Sequence, residues 1–213
     1  MSPLIVAMDV SGDLGSLALL RGENCLEEVE LRSPEGFAHV LFGEIEALLA
    51  RHGVRLTDIE LFACSSGPGS FTGVRVGLTA AKGLAEATGH KMVAISNLQA
   101  LASFGSRPLR AVVMDARRGE VYAAVYDDKL EAVRAEVVVK LDGWLAALPA
   151  GDLELVSLLA LPCKEVVRPP QALAAAIGRL AAQRYRKGLA QNPEDVDANY
   201  VRRSDAELFW KDR

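Results

Sequence analysis

Leu4-Ile5-Val6-Ala7-Met8-Asp9, an apolar run closed by an acid, returns later in the chain as Leu109-Arg110-Ala111-Val112-Val113-Met114-Asp115. Both copies continue in the same way. After Asp9 the turn Ser11-Gly12-Asp13 leads into Gly15 to Leu20, and Arg21-Gly22-Glu23-Asn24 turns into Cys25 to Leu31. After Asp115, Arg117-Arg118-Gly119 turns into Val121 to Tyr126, and Asp127-Asp128-Lys129 turns into a third run ending near Val139. Short apolar runs joined by Gly, Asp and Asn turns read as strands of an antiparallel meander.

Each meander is succeeded by helix, strand, helix. In the first half, Ser33-Pro34 offers an N-cap and a first-turn proline, and Phe37, Val40, Leu41, Ile45, Leu48 and Leu49 recur at helical period until His52-Gly53. A strand near Ile59 to Ala63, a helix over Thr72 to Ala87, a strand at Met92 to Ile95 and a short helix from Asn97 to Phe104 complete it. The second half continues with a helix over Asp142 to Leu148, a strand over Leu153 to Leu159 and a long helix over Pro170 to Leu189. Its proline-bounded stretch from Leu161-Pro162-Cys163-Lys164 to Pro169-Pro170 reads as a linker. An internal duplication of this order predicts an α/β, actin-like (ASKHA) duplicated fold: two lobes, each a mixed sheet with helices, the second lobe reduced. The expected division is 1–106 for the first lobe, 107–190 for the second and 191–213 for a C-terminal tail.

Composition narrows the function classes. The 213 residues are half apolar and a quarter charged, enough for a core that buries roughly 70% of the unfolded surface. A net charge of −4 gives no whole-protein attraction to nucleic acid or an anionic membrane. Cys25, Cys64 and Cys163 are odd in number, widely spaced and without a C-x-x-C, as expected of a reduced, cytoplasmic setting. Pro3 to Met8 lacks the basic start of a signal peptide, and no window approaches the roughly 18 apolar residues of a membrane span.

Between the two copies lies the densest glycine pattern, SSGPGSFTGVRVGLTAAKGLAEATG over residues 65–89. Gly67, Gly69 and Gly73 are spaced G-x-G-x-x-x-G, one residue too long for a dinucleotide fingerprint, and no Gly-Lys-Ser/Thr comes after it as a Walker loop requires. The turn reads as Gly67-Pro68-Gly69 with Ser70 or Thr72 capping the helix. On that helix Gly73, Gly77, Ala81 and Ala85 recur every fourth residue and form one smooth stripe, with Arg75, Lys82 and Glu86 off it. Interior glycines cost roughly 1 kcal/mol each against alanine, so close packing on the stripe has to compensate. That packing is either against the protein's own sheet or against a partner.

Candidate chemistry is sparse. Asp9 and Asp115 end matching strands, where carboxylates of an actin-like ATPase or kinase hold Mg²⁺ and nucleotide phosphates. Against this, Arg117 and Arg118 stand where a phosphate-cradling hairpin carries small residues, placed to pair with Asp115. His39 and His52 have no ligating neighbours, and Ser65, Ser66 and Ser70 form no G-x-S-x-G.

The segment Gly67-Pro68-Gly69-Ser70-Phe71-Thr72-Gly73-Val74-Arg75-Val76-Gly77, with Asp115 to Tyr122 and the tail Asn199-Tyr200-Val201-Arg202-Arg203, resembles the bacterial TsaB (YeaZ) family of the tRNA N6-threonylcarbamoyladenosine machinery. The resemblance covers essentially the whole chain, is strongest from Leu56 to Gly89, and is poorest over 151–170. It implies a non-catalytic scaffold that pairs with the catalytic paralogue TsaD and the ATPase TsaE, meets tRNA through that complex, and forms a homodimer when alone. It implies that this chain by itself binds no cofactor, with ATP and a metal ion belonging to the partner subunits. The partner-binding positions it implies are Gly73, Val74, Gly77, Leu78, Ala81, Lys82 and Ala85; Asp9, Ser11 and Asp115 become a vestigial nucleotide cleft. The paralogue's H-x-x-x-H metal motif corresponds here to Asn97 and Leu101, and leucine cannot ligate a metal. Asp9-Val10-Ser11 departs from the usual Asp-Thr-Ser. Arg202, Arg203, Lys211 and Arg213 alternate with acids as in a solvated segment, and Arg184, Arg186 and Lys187 suit a helix C-terminus.

Overall fold

Strand β1 (Leu4–Asp9) is buried at every position, because it pairs on both sides and is covered on both faces. It pairs antiparallel with β2 (Gly15–Arg21), which pairs antiparallel with β3 (Asn24–Leu31), as the turns predict. The computed structural model describes residues 2–161 and 165–202. Two helices and two strands come next: α1 (Leu41–Arg51), β4 (Leu61–Gly67), α2 (Phe71–Thr88) and β5 (Lys91–Ser96). β1, β4 and β5 run parallel, so the first sheet has the order β3-β2-β1-β4-β5. The short α3 (Asn97–Ala102) closes this half.

The second half repeats the plan with β6 (Leu109–Asp115), β7 (Val121–Tyr126), β8 (Ala132–Val139), α4 (Leu141–Ala146), β9 (Leu153–Ser157) and β10 (Val166–Val167). Its sheet runs β10-β9-β6-β7-β8, strand for strand the order of the first. Val6 pairs with Phe62 in one sheet as Val112 pairs with Val156 in the other. The duplicated actin-like architecture is therefore present, and the reduction is specific. An 18-residue helix joins β4 to β5, whereas β9 and β10 are joined without one among the described residues. β10 itself lies in the stretch expected to be a linker. Cys163 and residues 203–213, including Arg203, Lys211 and Arg213, lie outside the described residues.

Three expectations are corrected. The helix does not start at Ser33-Pro34: Ser33 Oγ donates to the Gly36 carbonyl, Gly36 sits at φ 94°, and only a 3-10 turn over Phe37–His39 precedes α1. The strand before the glycine turn runs Leu61–Gly67 rather than from Ile59. The last long helix, α5 (Ala174–Arg186), does not close the second lobe. It packs on β1, β2 and β4, so one compact unit comprises the residues to Ala100 together with Gln171–Ala198, and the other Leu101–Pro170 with the residues from Asn199.

The reason is a fit made by tertiary partners. A Cβ on Gly178 would overlap Leu20 Cδ1 and lie 3.2 Å from Ala7 Cβ, so the helix axis comes close to the sheet because this residue is glycine. Ser16 Oγ accepts from the backbone N–H of Leu173 and Ala174, and Glu28 Oε1 from that of Ala175, satisfying the α5 N-terminus from β2 and β3. On the opposite face, Leu4, Val6 and Met8 pack with Leu41, Ile45 and Leu48 of α1 and with Leu78, Ala81 and Ala85 of α2. Residues assigned to a separate tail split as well. Gln191 exchanges two 2.9 Å backbone hydrogen bonds with Met92 in the first unit, whereas Asn199 donates to Glu136 and Arg202 pairs with Glu120 in the second. No helix among the described residues is long and apolar enough to cross a membrane.

Candidate functional site

The glycine turn grips the end of β1. Ser70 caps α2, its Oγ accepting from Gly73 N at 3.3 Å, while its own N–H donates to the Ser11 carbonyl at 2.7 Å. Asn97 Nδ2 donates to Ser11 Oγ at 2.5 Å and to the Pro68 carbonyl at 3.0 Å, tying α3 to both. A Cβ on Gly69 would meet the Ser11 carbonyl at 2.7 Å, and one on Gly73 would overlap the Val10 carbonyl. Gly69, Ser70 and Gly73 thus form a clamp on Val10-Ser11, with Pro68 joined to it through Asn97. Phe71 points elsewhere.

Beneath the clamp, Asp9 is 5% exposed and its Oδ1 accepts from Ser11 Oγ at 2.6 Å and Ser11 N at 3.0 Å. Burial pushes the carboxyl above the usual range, and the Ser11 hydrogen bonds offset only part of this. Burial likewise pushes the neighbouring Cys64 thiol up to about 12, with the Asp9 charge adding to it. Asn97 Oδ1 is a buried oxygen with no hydrogen-bond partner among the described residues. In the other unit Asp115 is half exposed and accepts from Arg117 N at 2.8 Å, with Arg117 Nε 4.0 Å from its second oxygen, the pairing expected of that turn. Arg117 and Arg118 both take positive φ, 64° and 57°. Leu101 is fully buried, and no group of three His, Cys, Asp or Glu among the described residues is placed to hold a metal.

The small-residue stripe faces inward. Gly77, Ala81 and Ala85 are buried, Gly73 abuts Val10, and Val74 and Leu78 are 5% and 8% exposed. Of the seven positions implied for a partner, Gly73 and Lys82 are partly exposed and the other five are buried. The stripe lets α2 sit close to β1 and β4 and leaves the opposite face of the helix outward.

That opposite face is unusual. Phe71 is 45% exposed, and across from it Phe42 of α1 is 56% exposed. Together with Leu41, Arg75, Val76 and Thr79 they line a mainly apolar groove of about 470 Å³ between α1 and α2. The Arg75 guanidinium stacks 3.8 Å above the Phe71 ring centroid. The sequence carried a sign of this. Phe42 falls outside the set Leu41, Ile45, Leu48 and Leu49 that faces the core, and Phe71, Arg75 and Thr79 are four residues apart along the helix.

Two like sheets, a sealed strand-end carboxylate and a turn locked onto it define an actin-like α/β protein whose outward feature is a helix-pair groove. The family described as "TsaD: tRNA N6-adenosine threonylcarbamoyltransferase" matches residues 35–161. The TsaB protein of Bacillus subtilis is 33% identical over 159 residues, covering 72% of this chain and 69% of that one. The TsaB protein of Escherichia coli is 30% identical over 230 residues, covering 97% of this chain and 96% of that one; both relatives are called tRNA threonylcarbamoyladenosine biosynthesis proteins. The solved structure of YeaZ from Pseudomonas aeruginosa superposes with a TM-score of 0.77 at 25% identity, covering 94% of this chain and 100% of that one. The chain belongs to the TsaB (YeaZ) family.

Proposed function

We propose that this protein is a non-catalytic scaffold subunit in tRNA N6-threonylcarbamoyladenosine synthesis, which docks the catalytic paralogue TsaD through the groove between α1 and α2 and works with the ATPase TsaE. The observation that carries the proposal is that groove: two phenylalanines about half exposed, side by side, on a chain of the TsaB family. An apolar patch between two helices is the surface into which a partner's helices pack. A second copy of the chain occupies the same face when the paralogue is absent, and tRNA is met through the complex.

ATP and metal belong to the partner subunits in this reading. A Mg²⁺-nucleotide does not fit the Asp9 site: the carboxyl is sealed, engaged by Ser11 and pushed toward its neutral form, and the Gly69-Ser70 turn sits against the Ser11 carbonyl. Leucine at position 101 offers no ligand atom, so no metal step is derived for this chain.

Sedimentation velocity of the chain mixed with TsaD from the same organism tests the docking. The wild type forms a faster-sedimenting complex, and Phe42→Glu weakens it by roughly a hundredfold, the scale of a central aromatic anchor. Ala81→Arg is no test of docking, because Ala81 is fully buried in the chain's own core. A complex indifferent to Phe42→Glu sinks the proposal.

A further inference from the structure

We infer that a proton bridges Asp9 and Asn97: the neutral Asp9 acid donates from Oδ2 to the otherwise unpartnered Asn97 Oδ1, directly or through one water, and so latches the glycine turn and α3 to the end of β1. Raising the pH past the point where Asp9 ionises opens the latch. This switch stands apart from the α1–α2 groove, so its failure leaves docking untouched.

The hydrogens around Ser11 are all accounted for. Asn97 Nδ2 has two, one on Ser11 Oγ at 2.5 Å and one on the Pro68 carbonyl at 3.0 Å, and Ser11 Oγ sends its own to Asp9 Oδ1 at 2.6 Å. Turning the amide over would set its oxygen against the Pro68 carbonyl, so its orientation is fixed. Asn97, 1% exposed, is then left with Oδ1 as a buried acceptor that meets no donor among the described residues. Asp9 Oδ2 takes no part in the Ser11 hydrogen bonds, both of which end on Oδ1. Two side chains joined through one hydroxyl thus each hold an unspent oxygen in the same buried corner, and one hydrogen between them satisfies both.

A proton and a cation compete for that place. Mg²⁺ asks for about six oxygen ligands in near-octahedral order. Here Ser11 Oγ is engaged by Asn97 and Asp9, and the Ser11 carbonyl already accepts from Ser70 N, so the Asp9 and Asn97 oxygens are too few. A proton needs only two. Burial favours it further, since it is what raises the Asp9 carboxyl against the two Ser11 hydrogen bonds. The neighbours do not reverse this. Ser16, paired with Asp9 from β2, is uncharged and receives backbone N–H groups from α5. Cys64 on β4 stays a thiol, pushed up to about 12, and the Lys82 charge on α2 acts on that thiol. Ionisation of Asp9 sets a carboxylate facing an amide oxygen with no hydrogen between them. The ties of Asn97 to Ser11 and Pro68 then loosen, and with them the Ser70 N–H that rests on the Ser11 carbonyl.

The test uses the full chain with no partner. NMR follows the Asp9 carboxyl carbon, and hydrogen exchange of the Ser70 amide and the Asn97 side-chain amide, corrected for intrinsic rate, is measured across pH in the wild type and in Asp9→Asn. Asp9→Asn mimics the neutral acid, offering an N–H in place of the Oδ2–H. Expected are an Asp9 titration above the ordinary carboxylate range, wild-type protection that drops roughly tenfold as Asp9 ionises, the scale of one buried hydrogen bond, and no such drop in Asp9→Asn. Asn97→Ala separates pairing from burial: losing the Oδ1 acceptor lowers the Asp9 titration, whereas losing only the Nδ2 bond, which polarises the Ser11 hydroxyl toward the carboxylate, raises it. A titration that rises or stays put in Asn97→Ala overturns the bridge, as does an Asp9 that titrates like an exposed carboxylate. Where Asn97→Ala does not fold, the protection profiles decide, and equal pH dependence in the wild type and Asp9→Asn overturns the latch. A melting temperature that rises with Mg²⁺ or K⁺ in the wild type but not in Asp9→Asn assigns the place to a cation and overturns it too.

Discussion

Asp9 and Gly73 meet at the same strand end and show how single residues answer to their surroundings. Asp9 is an acid whose folded-state carboxyl is raised by burial. Below the unfolded value both states hold the proton, so the folded state carries no penalty there. Between that value and the raised one the unfolded chain releases its proton while the folded chain keeps it, and stability falls as pH rises. Asp9→Asn, which retains an oxygen for Ser11, is therefore expected to melt higher than the wild type at pH 8, with the gap closing toward pH 4. Equal melting temperatures at both pH values would refute the assignment of a buried, destabilising carboxyl. Gly73 is set by contact alone: a methyl group there has to displace the Val10 backbone carbonyl. Gly73→Ala is expected to cost roughly 1–3 kcal/mol in urea unfolding, the range of overpacking, despite alanine's better helix propensity.

At the scale of elements, the repeated glycine and alanine positions of α2 and the lone Gly178 of α5 solve one problem from two sides. The first sheet is covered by helices on both faces, and its strands read as continuous apolar runs for that reason. Both helices need small residues where they cross β1. The every-fourth-residue stripe on α2 was plain in the sequence, but periodicity states that one face is smooth without stating which surface lies against it. The resemblance to known relatives implies partner contacts along this stripe, whereas in the folded chain Ala81 and Ala85 are buried in its own core. The exposed counterpart, Phe71, Arg75 and Thr79 with Phe42, was legible only as residues left over from two apolar faces. Arg184 and Arg186 suit a helix C-terminus, yet their partners are tertiary: Arg184 donates to the Ala94 carbonyl and Gln99, and Arg186 pairs with Glu23. Gly178→Val is expected to lower stability by about 3 kcal/mol or more, since the added atoms fall on Leu20 and Ala7; a melt within a few degrees of the wild type would refute the close approach.

For the whole molecule, the chain crosses between its two compact units after Ala100, after Pro170 and after Ala198. Cooperative unfolding should respect these units and not sequence order. In native-state hydrogen exchange, the amides of α5 are expected to open with the same free energy and denaturant dependence as those of β1 and β2. An α5 that instead exchanges together with β6 and β7 would contradict the division. The duplication was readable because the strand, turn and strand pattern of a meander is local and was written twice, with a first strand ending both times in Val-x-Met-Asp. Strand order came with it, since short turns force neighbours to pair. The membership of α5 was not readable, because it depends on Ser16 and Glu28 supplying its N-terminus from far away in sequence.

By itself the sequence determined the element types, the doubled α/β plan and the family, for these rest on local periodicity, turn chemistry and an eleven-residue motif, GPGSFTGVRVG. Tertiary structure alone decided which face of α2 is buried, which sheet α5 covers, and that Phe42 and Phe71 share a groove. Each of these depends on contacts between residues distant in the chain, and a face left exposed is defined only after everything else has been packed.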